Sequence, residues 1–323
     1  MIIENEQEIK DRVIELTGRK IYGRVQIVED TTDYMRIAGG MILRIAGNDY
    51  FITGDAREGR FGIDDQPKFW VKYAFDLESG ERKIIKMVFY EDFTTRQGVF
   101  LIKCSRSPKK EAHCLELMKG HPRFMQGDSV RDKEGNLVRI IEFIKGKSLY
   151  VWLSEFEMEH EQYFYEVFPG IMDEVVECID ALRLLEERGE HHGDVRNDHI
   201  YIDKDTGLYR WIDFDYEVSY EDYDVWSCGN IINFVTAKRI ISFQQVNDHP
   251  ERFPDCSSCS LSADDALLFY KYRVANLKKL YPYIPDKLNR ILMNFSLNTY
   301  YFYENFDDLL YELKEALTYL PSR

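Results

Sequence analysis

The period of apolar and polar positions changes along the chain. Residues 5–18, NEQEIKDRVIELTG, set Ile9, Val13 and Leu16 at helical spacing and close on Gly18, which predicts one short helix with a glycine C-cap. Short β-prone runs follow, YGRVQIVED, DYMRIAGG, MILRIAG and NDYFITG, with turn signals at Gly39-Gly40 and Gly47-Asn48. From Lys68 the pattern is strand, turn, strand: FWVKYAFDL, then ESGE, then RKIIKMVFY. After a connecting segment, SPKKEAHCLELMKG predicts a helix with Pro108 near its start and Leu115 and Met118 on one face. RIIEFI predicts a short apolar strand. Beyond Gly146 the chain turns mostly helical, and FPGIMDEVVECIDALRLLEERG is a strongly amphipathic helix ending at Gly189. Strands first and helices afterwards predict an α+β protein with the two classes in separate lobes.

The 323 residues suffice for two lobes and an appendage. A formal net charge of -15 argues against nucleic acid and against an anionic membrane as partners. The local basic patch Arg106 to Lys110 has two readings, a phosphate site or a solvated loop. No apolar run approaches the roughly 20 residues that span a bilayer. The polar, acidic start MIIENEQEIKDR is unlike a secretory signal, so a cytoplasmic protein is expected. The cysteines are scattered except for Cys256 and Cys259; with His249 they fall one ligand short of the tetrahedral set of structural zinc and are expected to be free thiols.

Candidate chemistry sits in HHGDVRNDHI, residues 191–200, and in LYRWIDFD. Asp194 follows His192-Gly193 on the loop after the long helix, and Asp213 lies between Ile212 and Phe214 at a strand end. Acids on two neighbouring loops can converge, one to take a proton from an attacking hydroxyl and the other to hold a nucleotide-borne metal. Either run alone is commonplace.

Taken together and in order, these segments resemble the protein-kinase-like superfamily. REGRFG (57–62) resembles its Gly-rich loop, with Gly59 and Gly62 retained and Arg57 in place of the first glycine. VKYAFDLESGERKIIKM resembles the second and third kinase strands and sets Lys86 at the phosphate-pairing position; Lys103 is the rival. Glu111 in KKEAHCLELMKGHP resembles the helix glutamate that pairs with that lysine. RIIEFIKGKSL resembles the segment linking the lobes, which implies adenine contacts from the backbone near Glu142 and Ile144. YDVWSCGNII resembles the buried helix of the second lobe, with Asp224 as its acid, and the last helices are similar to those of bacterial serine/threonine kinases. Leu115, His192, Phe214 and Asp224 match the stacked residues of the kinase frame.

The resemblance implies a two-lobed fold: an N-terminal β-containing extension over 1–48, a β-rich lobe over 49–144 and a helical lobe over 145–323. It implies ATP under Gly59 and Gly62, and Lys86 held by Glu111 against the phosphates. Mg²⁺ or Mn²⁺ would sit on Asp213 with Asp215 or His199. Arg196 would steady the transferring phosphate, and Asp194 would take the acceptor's proton. The acceptor is a hydroxyl on a protein or a small molecule.

Three departures qualify this. The loop reads His-Gly-Asp instead of His-Arg-Asp, and only residues 214–223 separate Asp213 from Asp224, as in small-molecule kinases of the aminoglycoside and choline type. His199 stands where the family has a metal-binding Asn. It could ligate a metal other than Mg²⁺ or donate to a phosphate while Asp198 or Asp215 supplies the oxygen. Alternatively it marks a lost metal site, giving a pseudokinase or nucleotide-binding scaffold whose N-terminal region docks a protein partner.

Overall fold

The computed structural model of the chain describes residues 2–60, 63–98, 100–220, 222–254, 256 and 261–320, with only the backbone at 58–60 and 63–65. In chain order the first elements are α1 (Glu6–Thr17), β1 (Ile27–Val28), β2 (Ile42–Ile45), β3 (Asn48–Arg60), β4 (Ile63–Asp76), β5 (Arg82–Lys86), β6 (Glu91–Gln97) and β7 (Phe100–Arg106). Next come α2 (Pro108–Leu117), β8 (Gly127–Arg131), β9 (Leu137–Glu142), β10 (Gly146–Ser148), α3 (Leu149–Ser154), α4 (His160–Glu166) and α5 (Phe168–Glu187). The last are β11 (Ile200–Asp203), β12 (Tyr209–Trp211), β13 (Tyr216–Val218), α6 (Tyr223–Ala237), α7 (Phe243–Asp248), α8 (Asp286–Asn294) and α9 (Phe306–Leu317). The protein is α+β and forms two compact units, one of residues 1–91, 106–121 and 125–144, the other of 92–105, 122–124 and 145–323.

Unit 1 is a seven-stranded sheet in the order β1-β2-β3-β4-β5-β9-β8, antiparallel except for the β1–β2 pair. Alternation gives the sheet two apolar faces. Ile42 and Phe51 face α1 and pack on Ile9 and Val13, whereas Leu43, Ile45, Tyr50, Ile52 and Ile85 build the core on the other side. Burying Ile9 and Val13 contributes about 2 kcal/mol each. The helix is capped as its sequence predicts: Asn5 accepts from the Gln7 amide, and Gly18 closes it at φ 69°. Residues 2–48 are part of this sheet unit. Fully buried Asp49 accepts from the Ile3 amide and pairs with Arg44, and Glu6 accepts from the Val25 amide.

Two local expectations change. DYMRIAGG is no strand; Tyr34–Arg36 makes a 3-10 turn. The connecting segment after RKIIKMVFY is the hairpin β6–β7, which joins unit 2 and forms a three-stranded sheet in the order β13-β7-β6. A second small sheet has the order β10-β11-β12. The helices of unit 2 pack around α5 and α6. One stripe of α5 is buried, through Ile171, Met172, Val175, Ile179, Leu182 and Leu185. On α6 burial runs all round, from Tyr223 to Ala237, as expected of a helix at the centre of a bundle. No helix among the described residues is long and apolar enough to cross a membrane.

Candidate functional site

In unit 1 the last residue of β5, Lys86, lies 2.5 Å from Glu111 on α2 (Nζ to Oε1). Arg139 on β9 takes the other oxygen, with Nε 3.1 Å from Oε2, and its Nη1 donates to the Met87 and Leu137 carbonyls. All three side chains are buried. The register explains the grouping. Lys86 and Arg139 are direct cross-strand partners, and two cations side by side in a dry interior need an anion. Ser107 caps α2 by accepting from the Lys110 amide, and this sets Glu111 one turn into the helix. The rival Lys103 is exposed on β7.

In unit 2 the loop from His191 to His199 carries the acids. Asp224, buried at the start of α6, fastens it: Oδ2 accepts from the His192 amide at 2.6 Å and Oδ1 from the Gly193 amide at 2.9 Å. Gly193 takes φ 80°, a conformation that favours glycine and accounts for the His-Gly-Asp spelling. The His192 ring packs edge-on against Trp211 and Phe214, and the Phe214 ring against Phe124.

The His199 ring lies between Asp194 and Asp213. Its Nδ1 is 2.9 Å from the Asp194 carbonyl oxygen and 3.5 Å from Oδ2 of the same residue, while Nε2 is 4.0 Å from Asp213 Oδ2. Arg196 Nη2 approaches the same Nε2 at 2.7 Å and Asp198 Oδ2 at 3.1 Å, and its Nε lies 3.5 Å from Asp194 Oδ1. Asp213 sits at φ 60°, left-handed backbone that costs a non-glycine residue energy and that Asp tolerates better than most. Burial pushes the Asp194 carboxyl up to about 7; Arg196 opposes the shift, while Asp198, Asp215 and Asp213 add to it. A carboxylate so poised is suited to general base chemistry near neutral pH.

Asp213, with a side chain 22% exposed, offers the hard oxygen that Mg²⁺ or Mn²⁺ prefers. His199 does not fit, since both ring nitrogens are engaged. Asp215 is buried and acts on Asp194 through its charge. Among the described residues no three His, Cys, Asp or Glu side chains converge as a metal site.

The remaining expected residues fall out as follows. Gly59 lies on β3, so Arg57–Arg60 is strand; Gly62 lies outside the described residues. The Glu142 amide donates to the Gln126 carbonyl and its carboxylate accepts from the Gln126 amide, so that N–H is spent within unit 1. Ile144 is buried just beyond β9. The basic patch is neither open nor solvated as a whole. Arg106 and Lys110 are buried, and Arg106 lies over the stacked rings of Trp70 and Phe89. Cys256 is a free thiol, and Cys259 lies outside the described residues.

Arg139 is the residue that the sequence reading missed. A separate cavity of about 840 Å³ in unit 2, lined by His160, Arg239, Phe253, Tyr281 and Tyr283, shares no residue with the acid cluster. No protein-family model matches the chain, and no curated protein matches it in sequence.

Proposed function

We propose that the chain is an ATP-dependent phosphotransferase with a protein-kinase-like fold, acting on a hydroxyl acceptor. The observation that carries the reading is that Asp194 and Asp213 lie on either side of the His199 ring, with the Asp194 carboxyl pushed up to about 7. The buried Lys86–Glu111 pair supports it, because a lysine fixed by a carboxylate suits nucleotide phosphates. Asp194 would orient the acceptor hydroxyl and take its proton as the acceptor oxygen bonds to the γ-phosphorus and the bridging oxygen leaves with ADP. Arg196 would face the charge on the transferring group. A Mg²⁺ or Mn²⁺ carried by the nucleotide would neutralise phosphate charge, and Asp213 is the residue suited to hold it. A protein Ser/Thr acceptor follows from the resemblance of the C-terminal helices; a small alcohol follows from the short stretch 214–223.

The second reading is a nucleotide-binding scaffold without turnover, which the engaged state of His199 favours. A partner docking on the N-terminal region would meet exposed Tyr22 and Met35, because the apolar face of α1 is already covered. The deciding experiment follows γ-phosphate transfer and ATP loss with Mg²⁺ and with Mn²⁺, in wild type and in Asp194→Ala. Transfer abolished by the substitution supports the enzyme. Tight binding without turnover under either metal leaves the scaffold, and no nucleotide binding removes both.

A further inference from the structure

We infer that His199 is a positioning residue for Arg196, and that the site works with a single divalent cation because the Arg196 guanidinium occupies the His199 ring nitrogen that lies towards Asp213. The single-cation part rests on the phosphotransferase reading; the His199–Arg196 contact does not.

Proton bookkeeping decides the state of the ring. A guanidinium has five N–H donors and no acceptor, so at 2.7 Å from Arg196 Nη2 the His199 Nε2 must be the acceptor. The ring proton of the neutral imidazole is then on Nδ1, which donates to the Asp194 carbonyl at 2.9 Å. Both directions in which imidazole can ligate a metal are used up. An ion on Nε2 would need the lone pair that Arg196 occupies and would meet a full positive charge at contact distance.

The guanidinium is held at Nη2 by His199 and by Asp198, with the Asp194 carboxylate 3.5 Å from its Nε. The ring is anchored as well. The His199 amide donates to the Arg196 carbonyl, and the His199 carbonyl accepts from the Ile212 amide, just before Asp213. The planar fork of arginine suits this multiple seat, where lysine would be a point charge. Four acids, Asp194, Asp198, Asp213 and Asp215, act together here, and Arg196 opposes the effect of the other three on Asp194. Removing Arg196 thus leaves an acid-rich site with a vacant imidazole nitrogen, which is a better metal site than the native one.

Two measurements test this. The first counts Mn²⁺ bound per ADP by calorimetry and electron paramagnetic resonance. Wild type is expected to hold one, and Arg196→Ala and His199→Asn to gain a second. Two Mn²⁺ in wild type, one of them lost in His199→Ala, would overturn the inference. The second uses no nucleotide: ¹⁵N resonances of the His199 ring are expected to report the Nδ1–H tautomer in wild type, with the Nε2 resonance shifted in Arg196→Ala, where its donor is gone, and partly restored in Arg196→Lys. An Nε2–H tautomer in wild type overturns the contact. If ADP fails to bind at all, the phosphotransferase reading and the single-cation count fall together, while the ring spectrum still decides the contact.

Discussion

Lys86 and Arg139 divide the Glu111 carboxylate between them, one cation to each oxygen, in the interior of unit 1. The consequence is an asymmetry between substitutions. Glu111→Ala leaves two buried cations facing each other and is expected to cost about 3–5 kcal/mol of stability, as for other broken buried pairs. Lys86→Met leaves Glu111 paired with Arg139 and is expected to cost about 1–2 kcal/mol, mostly from the one lost charged hydrogen bond. Urea denaturation of the full chain checks the order; equal losses would show that Arg139 does not hold the carboxylate.

Asp194 links activity and stability in opposite directions. Its folded carboxyl titrates at about 7, above its ordinary value of 3.8, so between those values the folded state binds more protons than the unfolded one. Stability therefore falls as pH rises through that window, and the full cost is felt above about pH 7. On the proposed phosphotransferase reading, transfer needs the ionised form and is expected to rise with pH through the same range. Asp194→Asn removes the charge and is expected to stabilise the chain by about 1–3 kcal/mol at pH 8 and little at pH 4, the range reflecting residual water at the carboxylate. Melting curves at the two pH values, beside a pH–rate profile of wild type, test both halves.

Asp224 is expected to matter for the shape of the loop more than for charge. Asp224→Ala strands the His192 and Gly193 amides away from water, at about 1–3 kcal/mol for each unsatisfied donor. Hydrogen exchange at those two amides should quicken by the same free energy as the loss in global stability, or by more if the loop opens alone. Unchanged protection would mean that the loop is held elsewhere.

The β6–β7 turn is expected to tolerate no side chain at Gly98. That residue takes φ 61°, and a Cβ there would sit 2.0 Å from the Leu268 carbonyl oxygen. Gly98→Ala should displace the hairpin from the cluster of Ile102, Cys104, Tyr223 and Phe269, at roughly 1–3 kcal/mol for overpacking plus strain. Trp226, which packs on that cluster, gives the fluorescence readout.

The parts legible in the sequence were those written in short-range patterns. Helical spacing and caps located α1, α2 and α5, whereas the Lys86–Glu111 pair was expected only from the resemblance to the protein-kinase-like superfamily. Arg139 was not legible because in RIIEFI it reads as an ordinary charge on an alternating strand. Only the cross-strand register opposite Lys86 reveals it. The hairpin β6–β7 passed as a connection because its alternation is half polar and its partner β13 lies far along the chain. The membership of residues 2–48 in unit 1 rests on the β2–β3 pairing, the packing of α1 on Phe51 and the Ile3–Asp49 bond, of which the last two are encoded in no local pattern. His199 was legible as an anomaly; its meaning needed the position of Arg196.

The strand β13 begins shortly after Asp213 and is built into the same sheet as β6 and β7. In a switchable enzyme the stretch after such an acid is a moving part, on which a signal can be written. Here Tyr216–Val218 is a strand paired with β7, so on the proposed reading the shape of that part is set by the fold itself.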